Sequence, residues 1–322
     1  METKYFVFFC SIILLNKYIV SLKYITNKKQ FGVKLNMNNN NNNNNKSQCL
    51  ISSKDHNVYC NEEVDLYLNK NNMLLNKKLI TISPGGFKGF YLLGILTYIK
   101  ENYNMDDFIF SGASAGSWNS LFMCYKGDAL NLVYNLLDYN IKKAKTITEL
   151  QYYMKYKLLS TFKEDEFDFQ KLFIGVTTFK YFKPVTNIFS DFSDLDDAIN
   201  CCMASSHIPF ITGGITNRYN NMYAFDGGFS SYPYLNMKKT VVHISPSMWE
   251  NIHHKNNTNL KSCINTLRKY SEFFSVSKNN LLELFDNGYQ DAKQHKDYLD
   301  DIFLNKDENN NIENTLDSNI EF

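Results

Sequence analysis

The chain has 322 residues, 44% of them hydrophobic, with 25 Phe and 22 Tyr, which is ample for one large core or two small ones. A formal net charge of +1 with 21% charged residues leaves no broad basic field for nucleic acid. The seven cysteines are odd in number and show no CxxC spacing or Cys/His cluster. That favours reduced thiols and argues against structural zinc, and no calcium loop is visible either.

Residues 1–24 open with an apolar run of eleven residues, 5–15, behind Lys4 and broken by Asn16-Lys17. A spanning helix needs about 20 apolar residues, so the run is too short to cross a bilayer. It fits the core of a signal peptide or anchor, yet bulky Ile19 spoils the nearest cleavage pair. An ordinary N-terminal helix or strand stays open beside it, and localisation is unresolved between these and the cytoplasm. Residues 25–77 read as an Asn-rich linker, with an uninterrupted asparagine run at 38–45 that cannot bury apolar surface. Asn45-Lys46-Ser47 fits the glycosylation pattern, and residues 58–75 suit a helix lying before the core.

From Leu79 the pattern alternates between strand and helix. An apolar run ending at Ile82 leads into the turn Ser83-Pro84-Gly85-Gly86-Phe87-Lys88-Gly89, and a helix-period run follows with Phe90, Leu93 and Leu96. Phe108-Ile109-Phe110 leads into a second turn, Gly112-Ala113-Ser114-Ala115-Gly116, left through Trp118, Leu121 and Phe122. Helical patterns come next at 128–139 and 146–159, then strands at 172–178 and 183–189 and a helix at 194–204 capped by Ser193. A short strand at 221–225 delivers Asp226-Gly227-Gly228, residues 240–245 form a further strand, and 280–303 form one helix. The tail 305–322 is polar and acidic. Such alternation predicts an α/β fold with a mostly parallel central sheet covered on both faces, and active groups at the carboxyl ends of its strands.

The second turn fits the G-x-S-x-G elbow, in which a serine on a strained strand-to-helix bend needs very small neighbours. Gly112 and Gly116 supply them, and the helix behind offers unpaired N–H groups to negative charge. Gly85 and Gly86 let backbone donors approach a substrate oxygen, with Lys88 as a positive charge beside them, as an oxyanion hole requires. The spacing excludes a Walker loop and the Rossmann fingerprint. Asp226, 112 residues beyond Ser114, sits at a strand end before two glycines, a position that also suits a plain turn.

The three stretches together resemble the patatin-like phospholipase family, whose pattern is a glycine-rich oxyanion loop with a basic residue, then G-x-S-x-G, then D-G-G/A. The resemblance spans residues 78–292 and includes Ala204-Ser205-Ser206-His207-Ile208-Pro209-Phe210 and Gly288-Tyr289-Gln290-Asp291-Ala292. Pro84 stands where the family has its first glycine, but the donor positions Gly85 and Gly86 survive. The resemblance implies a three-layer α/β/α hydrolase, with residues 78–304 as the catalytic domain. It implies Ser114 as nucleophile, Asp226 as its dyad partner and Gly85, Gly86 and Lys88 at the oxyanion hole. Gly112 and Gly116 then shape the elbow, and Gly227 and Gly228 the aspartate turn. The expected substrate is a phospholipid or glyceride ester at a membrane or lipid surface, with no cofactor and no metal. Protein partners are not legible.

A Ser-Asp-His triad competes, because His243 follows Asp226 in chain order, although inside a strand rather than a loop. His207 reads as a packing residue. Two other functions stay open: a catalytically silent, membrane-associated lipid-binding protein of the same fold, and a non-lipid serine esterase. The aromatic stretch 152–182 suits either an acyl-chain surface or the core, and Lys180 and Lys183 within or beside it suit either phosphate headgroups or a solvated face.

Overall fold

The computed structural model describes residues 48–52, 67, 70–138, 141, 144, 146–180, 183–215, 217–230, 232–237, 240–249 and 280–304. The N-terminal apolar run, the asparagine run and the polar tail lie outside the described residues.

A six-stranded sheet organises them, in the order β1-β5-β4-β3-β2-β8. Its strands are β1 (Gln48–Ser52), β2 (Lys78–Ile82), β3 (Phe108–Ala113), β4 (Leu172–Lys180), β5 (Lys183–Ser190) and β8 (Thr240–Ile244). β8, β2, β3 and β4 run parallel, while β5 is antiparallel to both β4 and β1. The sheet thus reaches back into the stretch read as a linker: Gln48 pairs with Ser190 and Ser52 with Thr186. A separate ribbon pairs β6 (Asn217–Tyr219) with β7 (Met222–Ala224).

The central strands are apolar because both faces are covered. Alternate residues divide cleanly between those faces. Leu79, Ile109, Phe173 and Ile188 join Tyr67, Leu74 and Leu235 in a small cluster. Ile80, Phe110, Ile174 and Phe189 point into the main core with the long helices. Those helices are α1 (Gly89–Asn102), α2 (Ala115–Met123), α3 (Ala129–Leu136), α4 (Ile147–Thr161), α5 (Leu195–Ser205), α6 (Leu281–Gln294) and α7 (Lys296–Phe303). None of the described helices is long and apolar enough to cross a membrane.

Side-chain caps start three of them. Asp128 accepts from Asn131 N–H, Thr146 from Glu149 N–H and Asp194 from Asp197 N–H. The cap of α5 is therefore Asp194 rather than Ser193, since its carboxylate reaches the free N–H groups of the first turn. The expected helix at 280–303 is broken at His295, whose ring stacks on Trp249 at 4.3 Å. α6 lies so close on α1 that a Cβ at Gly94 would sit 2.0 Å from Phe285 O, and one at Gly288 would sit 1.9 Å from Tyr91 O. Tyr91 Oη donates to Asp291 Oδ2 at 2.6 Å across the same contact. The stretch around Gly288 is thus a helix-packing surface.

Candidate active site

Ser114 occupies the bend between β3 and α2 with φ 53° and ψ −124°, a conformation that costs a non-glycine residue roughly 1–3 kcal/mol. Close packing on both sides maintains it. A Cβ at Gly112 would lie 2.1 Å from Gly116 O, and a Cβ at Gly116 would lie 2.1 Å from Ile82 O. Neither position can carry a side chain without moving backbone. Behind the serine, its N–H donates to Ser205 Oγ at 2.8 Å, and Ser205 Oγ donates to Gly175 O at 2.7 Å. This brace ties the elbow to α5 and β4.

Asp226 arrives by a different route from the one its strand-end position suggests. β7 belongs to the small ribbon rather than the central sheet, and the turn after it is laced to the middle of β4. Thr177 and Phe225 exchange backbone hydrogen bonds of 3.1 and 2.8 Å, and Thr177 Oγ1 donates to Gly227 O at 3.3 Å. Gly227 must be glycine here, since its Cβ would meet Gly175 O at 2.5 Å and Ala113 Cβ at 2.6 Å. Gly228 donates its N–H to Asp226 Oδ1 at 2.7 Å, and Asp226 N–H donates to His207 O at 2.8 Å.

The two elements meet. Ser114 Oγ donates to Asp226 Oδ2 at 2.5 Å, with Ser114 only 6% and Asp226 only 5% exposed. Burial pushes the Asp226 carboxyl up to about 6, against the lowering effect of the Ser114 and Gly228 hydrogen bonds. Both carboxylate oxygens are engaged, and no described histidine bonds to either.

Beside the pair opens a narrow apolar cavity lined by Phe87, Phe90, Leu93, Phe122, Leu150 and Met154, together with Gly86, Ser114 and Asp226. Gly86 reaches it with φ 53°, a left-handed bend that glycine adopts freely. Among the described residues, no acceptor takes the N–H of Gly85 or Gly86. Lys88 is exposed and does not line the cavity; its backbone N–H closes the turn on Gly85 O at 3.0 Å. Asn119 Nδ2 donates to Gly89 O at 3.0 Å and so links the first turn to α2.

The histidines stand apart from the pair. His243 lies within β8, with Nδ1 2.9 Å from Thr81 Oγ1 and its ring against Tyr234. His207 is buried, with Nδ1 3.4 Å from Thr212 Oγ1 and desolvation holding its pKa down. The aromatic stretch divides: Phe162, Phe167 and Phe173 are core, whereas Tyr152, Tyr156 and Phe179 are exposed. Ser205 and Thr177 brace the site and were not singled out from the sequence, because a small hydroxyl in a helix or strand carries no mark of its distant partner.

Residues 80–235 match the family model of the patatin-like phospholipases. No curated protein matches the chain. The matched span holds both glycine turns, the elbow serine and the aspartate turn, on a mostly parallel sheet with flanking helices. The chain therefore carries a patatin-like phospholipase domain, the domain of a family of lipid acyl hydrolases.

Proposed function

We propose that the protein is a serine-dependent lipid acyl hydrolase working through a Ser114–Asp226 dyad. The observation that carries this reading is the 2.5 Å hydrogen bond from Ser114 Oγ to a buried carboxylate at the head of an apolar cavity. In the reaction, Ser114 Oγ attacks the ester carbonyl carbon while its proton passes to Asp226 Oδ2. An aspartate is a weak base at its ordinary pKa, and the raised value narrows the gap to the serine hydroxyl. The tetrahedral oxyanion takes hydrogen bonds from the unengaged N–H groups of Gly85 and Gly86, beside the N-terminus of α2. Lys88 serves the hole mainly by shaping the turn through its backbone. Collapse expels the alcohol, which takes the proton from Asp226. A water then gives its proton to Asp226 and attacks the acyl-enzyme, and on collapse Asp226 returns that proton to Ser114 Oγ as the fatty acid leaves.

The cavity suits an acyl chain, and exposed Phe210, Ile215, Tyr152 and Tyr223 support action at a lipid surface. Ser114 bonds Asp226 directly and no described histidine reaches either oxygen, which supports a dyad over a triad. The test pairs fluorophosphonate labelling with hydrolysis of a lipid panel. Labelling and hydrolysis lost together in Ser114→Ala, and retained in His243→Ala, are the expected result. Folded wild-type protein that takes no label would make it a silent lipid binder. Cleavage of short soluble esters but no lipid would make it a general esterase. Turnover abolished by His243→Ala would replace the dyad with a triad.

A further inference from the structure

The apolar cavity at Ser114 contains one polar side chain that the reaction above does not use. Beyond the Ser114–Asp226 pair, its wall carries the polar residues Asn119, Ser206 and Gln151. Asn119 Nδ2 donates to Gly89 O and Ala115 O, each at 3.0 Å. Ser206 Oγ donates to Cys202 O at 2.8 Å and accepts from Trp118 Nε1 at 3.1 Å. Gln151 is different: it is only 6% exposed, yet its carboxamide makes no hydrogen bond to any described residue. Its amide atoms are not walled off within the core either, so they border open space.

Its place on α4 turns it toward the cavity. Ile147, Leu150, Gln151 and Met154 have the i, i+3, i+4, i+7 spacing of one helix face, and all four line the cavity. Three are apolar, so Gln151 stands where the pattern calls for another leucine. On its flank it also borders a more polar pocket of about 490 Å³ with Lys155, His207 and Thr212. A plain hydrocarbon chain filling the cavity would strip water from the amide and return nothing, which is costly for a buried polar group. A chain with a hydroxyl at that depth would donate to Gln151 Oε1 or accept from Nε2. Sites built round such a bond reject the analogue that lacks it far more strongly than apolar pockets reject an added hydroxyl.

We propose that Gln151 is a substrate-binding residue selecting hydroxylated acyl chains, so that their esters are cleaved in preference to those of unsubstituted saturated chains. The assignment rests on the lipolytic reading above and narrows it to one acyl class. The test gives the full chain the para-nitrophenyl esters of stearate and of a series of monohydroxystearates. The leaving group is then constant, and the ratio of kcat/KM values reads the acyl chain alone. The best isomer should exceed stearate by about tenfold. In Gln151→Leu the ratio should fall to about one, the hydroxylated ester losing and the stearate ester gaining. Leucine suits both the helix and its apolar face, and Gln151→Met, closer in shape, is the second variant. Retained fluorophosphonate labelling of Ser114 verifies the site in both. No isomer exceeding stearate overturns the proposal. So does a preference that survives both substitutions, the result expected of an amide facing only the polar pocket.

Calorimetric binding of free hydroxystearate and stearate to Ser114→Ala protein reads the cavity without turnover. Tighter binding of the hydroxylated acid, lost when Gln151→Leu is added, supports the assignment, and equal binding of the two acids overturns it. A Gln151-dependent preference in wild-type protein that cleaves no ester sinks the lipolytic reading alone. Ester cleavage with the same ratio in wild type and Gln151→Leu sinks the acyl selectivity alone.

Discussion

Two charges, one buried and one half-buried, stand at opposite ends of α2. At its N-terminal end Asp226 accepts from Ser114 Oγ and from Gly228 N–H. At its C-terminal end Lys100 of α1 donates to Met123 O at 2.9 Å and Tyr125 O at 2.5 Å. Each sign suits its end of the helix dipole. Burial drives both toward neutrality, Asp226 up to about 6 and Lys100 down to about 8. The difference lies in their partners. Lys100 satisfies backbone carbonyls at a helix end, which have nothing else to do. Asp226 holds the Ser114 hydroxyl, and among the described residues one other donor, Gly228 N–H, steadies its carboxylate. One charge closes structure; the other, on the dyad we propose, is under-solvated in a way that suits taking a proton.

Their effects on stability run in separate pH windows. Asp226 binds its proton more tightly folded than unfolded, so its contribution is lost as pH rises from the ordinary carboxyl value of 3.8 through about 6. Lys100 holds its proton less tightly when folded, so its contribution grows as pH rises from about 8 toward 10.5.

The sharpest way to break the contrast is to remove the working pair. Ser114→Ala and Asp226→Asn should each lower kcat/KM by three orders of magnitude or more, about 4 kcal/mol, and the double variant should lose little beyond the worse single one. Asp226→Asn should also raise the denaturation midpoint at pH 8, by on the order of 2 kcal/mol, and gain much less at pH 4. A destabilised Asp226→Asn would put the two charges in the same class.

Lys100→Met should do the reverse. It leaves the two carbonyls unpaired and costs about 1–3 kcal/mol in urea unfolding, while the folded fraction keeps its activity within about twofold. A large activity loss in a stably folded variant would mean that Lys100 also serves the reaction. In the wild type, kcat/KM should fall about tenfold per pH unit below about 6, because only ionised Asp226 accepts the serine proton. A flat profile from pH 4 to 8 would exclude Asp226 as the base. The smallest effect isolates the bend: Ser114→Gly should melt higher than equally inactive Ser114→Ala by about 1 kcal/mol, since glycine relieves φ 53°.

These contrasts were unevenly legible. Gly112, Ser114 and Gly116 announce themselves in the sequence because an elbow tolerates almost nothing else at those positions, whereas Asp226 before two glycines also suits a plain turn and stands out only through the resemblance. The buried strands were equally plain, since β2 and β3 are apolar throughout. Lys100 was not, because a lysine in the last turn of a helix looks like an ordinary solvated cation until Met123 and Tyr125 are seen above it. Gly94 and Gly288 mark a helix crossing only when both helices are present. β1 hides in a polar stretch, its five residues too few to show a period. Gln151 had no visible role because a glutamine within a helix looks solvated until the cavity wall it joins is seen.

The recognisable stretch and the foldable unit have different lengths. β8, at 240–244, zips onto β2 beyond the end of the 80–235 match, and α6 presses on α1 through the bare patches at Gly94 and Gly288. A piece trimmed to the matched span would expose a row of unpaired amides along β2 and a greasy groove on α1. Sheet flanks of that kind recruit neighbouring chains, so minimal versions of this domain should clump unless they run from Gln48, whose strand covers β5, to Phe303.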